Sequence, residues 1–343
     1  MRLFLILCFF IFTNLCFGGS FRPAGGKPVE IKAGRAVYKW DIKKLLLENS
    51  NNVQPRVNYE KSVLIASLMI YDDNSKKGFA FGNVYYEDKK ENVVVTSDEA
   101  VYDETQKEIT LTRNPKIFYK KDGTFARGDK IKIYPEKDRV FLLGRVKITN
   151  TNITITGDNA ELNNENKTFF IRKDVVVAQE GSKLYAEKFF LDGKVKNKEN
   201  YVATGNVRIV DEKEGYSIYG NRLDYFKEFG YTRITGAYSN IYSRPTLNFE
   251  KKDIDASSIV MEKFDNEDKA NLLGNVVVRQ GTKKARGMWG EYFIKKKKAV
   301  LTGNPVLEDG GSKFYSYKIN VDIEKETMSM VGKGKGTYFF ENQ

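Results

Sequence analysis

The chain contains no histidine, and its only two cysteines, Cys8 and Cys16, both fall among the first twenty of its 343 residues. Without histidine there is no Ser-His-Asp or Cys-His machinery, no imidazole base and no ordinary zinc site. Without a cysteine beyond position 16 there is no disulfide framework and no thiolate ligand in the remainder. Carboxylates are abundant, so the inventory alone leaves a paired-carboxylate glycosidase open. The acids are spread through turns, however, and do not gather on one face. The reading is therefore of a non-enzyme, with no catalytic residue, no metal site and no cofactor. Tryptophan is almost missing, with Trp40 and Trp289 only, and proline is scarce at seven residues. Acidic charge falls short of basic charge, which leaves a net +12.

Charge is also lacking at the start. Arg2 is the only charged residue before Arg22, and positions 3–12 are an unbroken apolar run followed by the small residues Gly18, Gly19 and Ser20. That is the build of a secretory signal peptide, too short for a spanning helix of roughly 20 residues. The expected organisation is residues 1–20 as signal peptide and 21–343 as a single domain, exported to the periplasm with a possible membrane association. Lipidation at Cys16 is disfavoured by the bulky Leu15 before it. Export argues against nucleic acid as the partner of the basic surface and favours an anionic partner outside the cytoplasm.

What the sequence does have is a repeat. Gly82-Asn83-Val84, Gly144-Arg145-Val146, Gly205-Asn206-Val207 and Gly274-Asn275-Val276 are four copies of one phrase. Degenerate copies begin at Asn51, Arg113, Lys173, Gly236 and Gly303, so that successive starts lie 31, 31, 31, 29, 32, 31, 38 and 29 residues apart. A second marker keeps step with the first: a small residue followed three and five positions later by apolar side chains. Its copies start at Ala33, Ala66, Ser97, Gly128, Gly157, Ala186, Gly220, Ala256, Gly287 and Ser316. Each unit of about thirty residues reads as three short antiparallel strands with polar turns. The Gly-Asn pair suits a turn or bulge at positive φ, and the small residue suits a bend after which the inward alternation changes phase. Pro115 and Pro305 mark strand starts or edges. Only residues 41–48, with Leu45-Leu46-Leu47, look locally helical, and a turn plus a strand serves equally well there.

The predicted fold class is all-β, an elongated antiparallel repeat of about ten units and about 30 strands, on the order of 70 Å long. Its inward residues are expected to be Ile131, Ile133, Ala160, Leu162, Phe189, Leu191, Leu223, Tyr225, Ile259, Met261, Val146, Ile148, Val207, Ile209, Val276 and Val278. Their simplest role is core. The Lys295-Lys296-Lys297-Lys298 run sits at a turn position and reads as a solvated turn.

The phrases Ile153-Thr154-Ile155-Thr156-Gly157-Asp158-Asn159-Ala160-Glu161-Leu162 and Val202-Ala203-Thr204-Gly205-Asn206-Val207 resemble the OstA-like, LptA-like β-jellyroll family. The resemblance runs through nearly all of residues 33–340. It implies two antiparallel sheets with lipid held between them, so that the inward residues above become a groove for lipopolysaccharide or another anionic glycolipid. It also implies partners among the inner- and outer-membrane jellyroll proteins of lipopolysaccharide transport, joined by strand addition, and end-to-end homo-oligomers. The candidate docking edges are residues 33–39 and 328–340. The chain is about twice as long as the bridge proteins of that family. Two other readings of the same residues stay open: a membrane-anchored LptC-like subunit that keeps its leader, and a β-helical surface scaffold or adhesin without lipid.

Overall fold

The computed structural model describes residues 30–337 except 60, 91, 122, 194–199, 237–243, 250 and 333; the leader lies outside the described residues. Thirty strands and two short 3-10 turns, Pro135–Lys137 and Lys227–Phe229, account for nearly all the regular structure there. Every pairing between them is antiparallel where its register is defined, as in the hairpins Lys77–Asp88 with Val93–Asp103 and Asn200–Asp211 with Tyr216–Phe226. The fold is the antiparallel strand repeat that the periodicity predicts, in the jellyroll arrangement that the resemblance implies.

Local chemistry explains the repeat. The Gly-Asn pairs take two consecutive left-handed conformations: Gly82 and Asn83 at φ 72 and 49, Gly205 and Asn206 at φ 78 and 47. Glycine meets no Cβ penalty there, and asparagine tolerates the region better than most residues. Each pair inserts one extra residue opposite the partner strand, and the register jumps between Phe81 and Val84, Leu143 and Val146, Thr204 and Val207, and Leu273 and Val276. The partner strand turns at its small residue. In Ile153–Asn163 the buried set is Ile153 and Ile155 before Gly157, then Ala160 and Leu162 after it. The alternation changes phase as expected. Where proline replaces valine the long strand is cut in two, and Lys116–Tyr119 and Val306–Asp309 each begin directly after their prolines. At the far ends the turns are closed by aspartate or asparagine side chains that accept backbone N–H groups, as Asp103 does from Gln106 and Asn163 from Asn166.

Residues 41–48 form no helix. Lys43 closes a turn at φ 49, and Lys44–Glu48 is a strand between Arg35–Lys39 and Leu68–Asp72. The seventh copy of the first marker is also displaced. Ser258 donates its backbone N–H to the Pro245 carbonyl at 3.2 Å, as Ser316 does to Pro305. The phrase equivalent to Gly303-Asn304-Pro305 therefore ends at Pro245 and does not begin at Gly236, and residues 237–243 lie outside the described residues.

The chain divides into two compact units. Among the described residues the first runs from Glu30 to Val177 with 190–193, and the second holds 178–189 and 200–337. In the first unit one ladder passes through Arg35–Lys39, Lys44–Glu48, Leu68–Asp72, 77–81, 99–103, Glu108–Thr112, Lys130–Tyr134, 139–143 and 159–163. A second ladder passes through Glu30–Lys32, Arg56–Tyr59, Ser62–Ile65, 85–88, 93–97, Lys116–Tyr119, Thr124–Arg127, 147–149 and 154–157. The long strands belong to both ladders, crossing from one to the other at their bulges. The second unit repeats the plan, ending at Thr327–Val331 in one ladder and Lys335–Thr337 in the other.

Candidate lipid-binding cavity

The inward faces of the two ladders meet over different amounts of space along the first unit. Around Ile117, Ala126, Leu142, Ile155 and Phe169, contributed by both ladders, the interior is sealed around a void of about 10 Å³. Among the earlier repeats it opens into a cavity of about 430 Å³, within the range of small-molecule sites. Leu45, Leu47, Leu64, Met69, Phe79 and Val95 are among its apolar walls. Ile31, on the outermost strand of the unit and 45% exposed, also lines it, which brings the cavity to that edge.

The few polar groups of the cavity are tied to one another. The Tyr71 hydroxyl donates to Glu104 at 3.0 Å, and that of Tyr86 to Asp88 at 3.5 Å. Burial and the carboxylate beside it push the Tyr71 hydroxyl above its ordinary value. Both carboxylates in the wall are acidic, so the space repels a phosphate and accepts hydrocarbon. A methylene moved from water into such a space gains about 0.8 kcal/mol.

In the second unit a smaller cavity of about 50 Å³ lies among Tyr201, Ile218, Leu223, Met261, Leu272 and Tyr292. Lys263 also lines it, buried, with its ammonium donating to the Phe264 carbonyl at 3.0 Å.

Of the sixteen inward positions expected from sequence, fifteen are buried. Ile133 lines the large cavity, Ile148 and Leu162 the sealed void, and Ile209, Leu223 and Met261 the cavity of the second unit. Ile131, Ala160, Phe189, Leu191, Tyr225, Val146, Val207, Val276 and Val278 are buried interior. Their strand neighbours Lys132 and Glu161 face outward and pair with Glu108 at 2.8 Å and Arg139 at 3.6 Å.

Ile259 is the correction: it is 50% exposed. Its backbone N–H reaches the Leu273 and Gly274 carbonyls at 3.0 and 3.1 Å, as that of Asp129 reaches Leu143 and Gly144. The small residue of this copy is thus Ser258, two positions after Ala256, and the inward pair becomes Met261 and Lys263. A lysine at an inward position hid the frame from a search for apolar pairs.

The walls of the large cavity lie mostly before residue 131, the first inward position chosen. Two markers pointed there, Ala66 with Met69 and Ser97 with Ala100. The run Leu45-Leu46-Leu47 has no alternation, which obscured that Leu45 and Leu47 face inward while Leu46 does not line the cavity.

With this geometry in place, comparison with known proteins is informative. Residues 83–180 match the family described as lipopolysaccharide-assembly, LptC-related. That stretch is similar to this family over less than a third of the chain. It contributes the floor of the large cavity from Val84 to Leu111 and the sealed interior beyond it. The chain also resembles LptH from Pseudomonas aeruginosa, described as the LptA-homologous periplasmic component of the conserved lipopolysaccharide transport device. Identity is 15%, the overlap covers 55% of this chain and 94% of that one, and the TM-score is 0.16. No curated protein matches the chain. No described helix is long and apolar enough to cross a membrane.

Proposed function

We propose that the protein is a periplasmic carrier of lipopolysaccharide or a related anionic glycolipid, holding acyl chains in the jellyroll interior while the sugar head stays in water. The supporting observation is the apolar cavity of about 430 Å³ within repeats that include the LptC-related segment. A lipid with several acyl chains crosses water slowly because each exposed methylene costs about 0.8 kcal/mol. Within the first unit the inward Ile131, Val146, Ile148, Ala160 and Leu162 would extend that space if the walls part to admit cargo. Partners of the same transport system would join through the outer strands at either end, by strand addition. The leader would be removed on export, leaving residues 21–343.

Photo-crosslinking to lipopolysaccharide tests the proposal. Phe79 and Ile133, which line the cavity, should label, and the outward Lys132 and Glu161 should not; labelling from the outward pair alone would rule it out. The LptC-related match favours a second reading, a subunit kept at the inner membrane by an uncleaved leader. Mass spectrometry of the mature N-terminus separates the two, since the carrier begins near residue 21 and the anchored subunit at residue 1.

A further inference from the structure

From the second copy on, the residue that follows the small residue sits on the outside of the bend, over the first residue of the next bulge, in most copies a glycine. In the first unit this position is occupied by Ser67, Asp98, Asp129 and Asp158, and in the second it continues as Glu187 and Asn221. The acids among them hold the neighbouring bulge. Asp98 accepts from Asn114 at 3.1 Å, Asp129 pairs with Arg145 at 2.6 Å, and Glu187 accepts from Asn206 at 2.9 Å. The last three copies break the pattern and carry Ile259, Met288 and Tyr317.

These three are not covered. Ile259 is 50%, Met288 45% and Tyr317 78% exposed, and Trp289 beside Met288 is 53% exposed. Each rests on a glycine: a Cβ on Gly274 would lie 2.9 Å from the Ile259 side chain, and one on Gly303 2.7 Å from Met288 and 3.0 Å from Trp289. A Cβ on Gly332 would lie 2.9 Å from Tyr317. Successive members are two strands apart, so the row is roughly 20 Å long at about 4.8 Å per strand. The backbone segments that form this bend, 257–260, 273–276, 286–289, 302–305, 315–318 and 331–332, contain no carboxylate; their cations are Lys318 and Arg286, the latter paired with Glu308 at 3.3 Å on the neighbouring strand.

We propose that this ridge inserts into the surface of an anionic lipid bilayer. Three features choose a bilayer over a protein partner. The row is narrow, roughly 20 Å long by the strand spacing, where a stable protein interface takes a broad patch of roughly 800 Å² per partner. Its members combine aliphatic groups with a tryptophan and a tyrosine, the residues that settle at the boundary between headgroups and hydrocarbon. These segments carry Lys318 and Arg286 and no carboxylate, where the earlier bends carry Asp98, Asp129, Asp158 and Glu187, and basic charge beside apolar groups favours anionic lipids. The inference does not depend on cargo in the cavity, because the ridge lies on the outer surface.

The full chain can be tested with vesicles of phosphatidylglycerol and phosphatidylcholine against vesicles of phosphatidylcholine alone. The wild type should float with the mixed vesicles, and the triple variant Ile259→Asp, Met288→Asp, Tyr317→Ser should lose at least tenfold of the bound fraction. Trp40→Phe leaves Trp289 as the sole tryptophan. In that variant, emission should shift to the blue on adding mixed vesicles and be quenched by brominated lipid. This second readout needs no destabilising change at the ridge. An Ala80→Trp variant, which fills the cavity, should float like wild type while losing lipopolysaccharide crosslinking, so failure of the carrier reading and of this one can be told apart. Unchanged Trp289 emission, equal flotation of the triple variant, or a wild-type dimer that the triple variant converts to monomer would each overturn the proposal.

Discussion

Pairs of adjacent residues at positive φ are uncommon, yet this chain uses one in almost every repeat, and not always with glycine first: Arg113 with Asn114 at φ 56 and 59, Lys173 with Asp174 at φ 63 and 49. A side chain at the first position is tolerated at a cost, which predicts an asymmetry. Gly144→Val, at φ 72 and with its Cβ driven into Asp129, should lower the urea midpoint by about 1–3 kcal/mol of stability. Lys173→Gly should raise it by less than Gly144→Val lowers it, because glycine also loosens the unfolded chain. Glu108 supplies a pH signature at the same scale. Burial alone would raise its carboxyl, but hydrogen bonds from Lys132, Thr110 and Tyr134 outweigh that and hold it at about 2, below the ordinary 4.5. The folded state therefore binds fewer protons than the unfolded chain between those values. Its stabilisation is complete above pH 4.5 and is lost as the pH falls to about 2. Glu108→Gln should flatten that part of the acid-unfolding profile, read by circular dichroism, and cost about 1–3 kcal/mol at neutral pH.

At the scale of strands, the sealed and open parts of the interior should respond differently to the same kind of change. Leu142 is fully buried in the sealed region, and Leu142→Ala should cost about 2–5 kcal/mol of stability. Leu64→Ala, in the wall of the large cavity, removes fewer packed contacts and should cost clearly less while weakening lipid retention. The strand pattern was legible because two markers with backbone causes, the paired positive φ and the small residue at the bend, recur together. Fifteen inward positions followed from their spacing. Ile259 did not, because Lys263 occupies an inward place and no apolar pair marked the frame. The cavity was not legible either. Whether facing residues touch or leave a gap depends on the separation of two walls built from strands tens of residues apart, and Leu111, Ile117 and Leu142 read alike in sequence while one faces open space and two do not.

For the molecule as a whole, the outermost strands decide what it can join. Arg35–Lys39 pairs only with Lys44–Glu48 among the described residues, and Thr327–Val331 only with Lys318–Asp322. Both are largely exposed, so each leaves a row of backbone donors and acceptors open to a further strand. Successive N–H groups in a strand point to opposite sides. One of Met328→Pro and Ser329→Pro should therefore remove a donor turned outward, abolishing end-to-end association in cross-linking or light scattering with little loss of stability. The other should break the ladder with Lys318–Asp322 and fray the end. Equal association by both variants would count against strand addition at this edge.

The ladders have one more property. Every described strand pairing joins residues no farther apart in the chain than Tyr231 and Phe264. A strand formed during synthesis therefore finds its partner within about one repeat, already emerged or next to emerge. The wall can be laid course by course from the N-terminus, with little time for bare edges to meet a neighbouring molecule. By the same logic, excising or duplicating one whole repeat should leave a foldable protein of different length, whereas removing half a repeat should leave a strand with no mate.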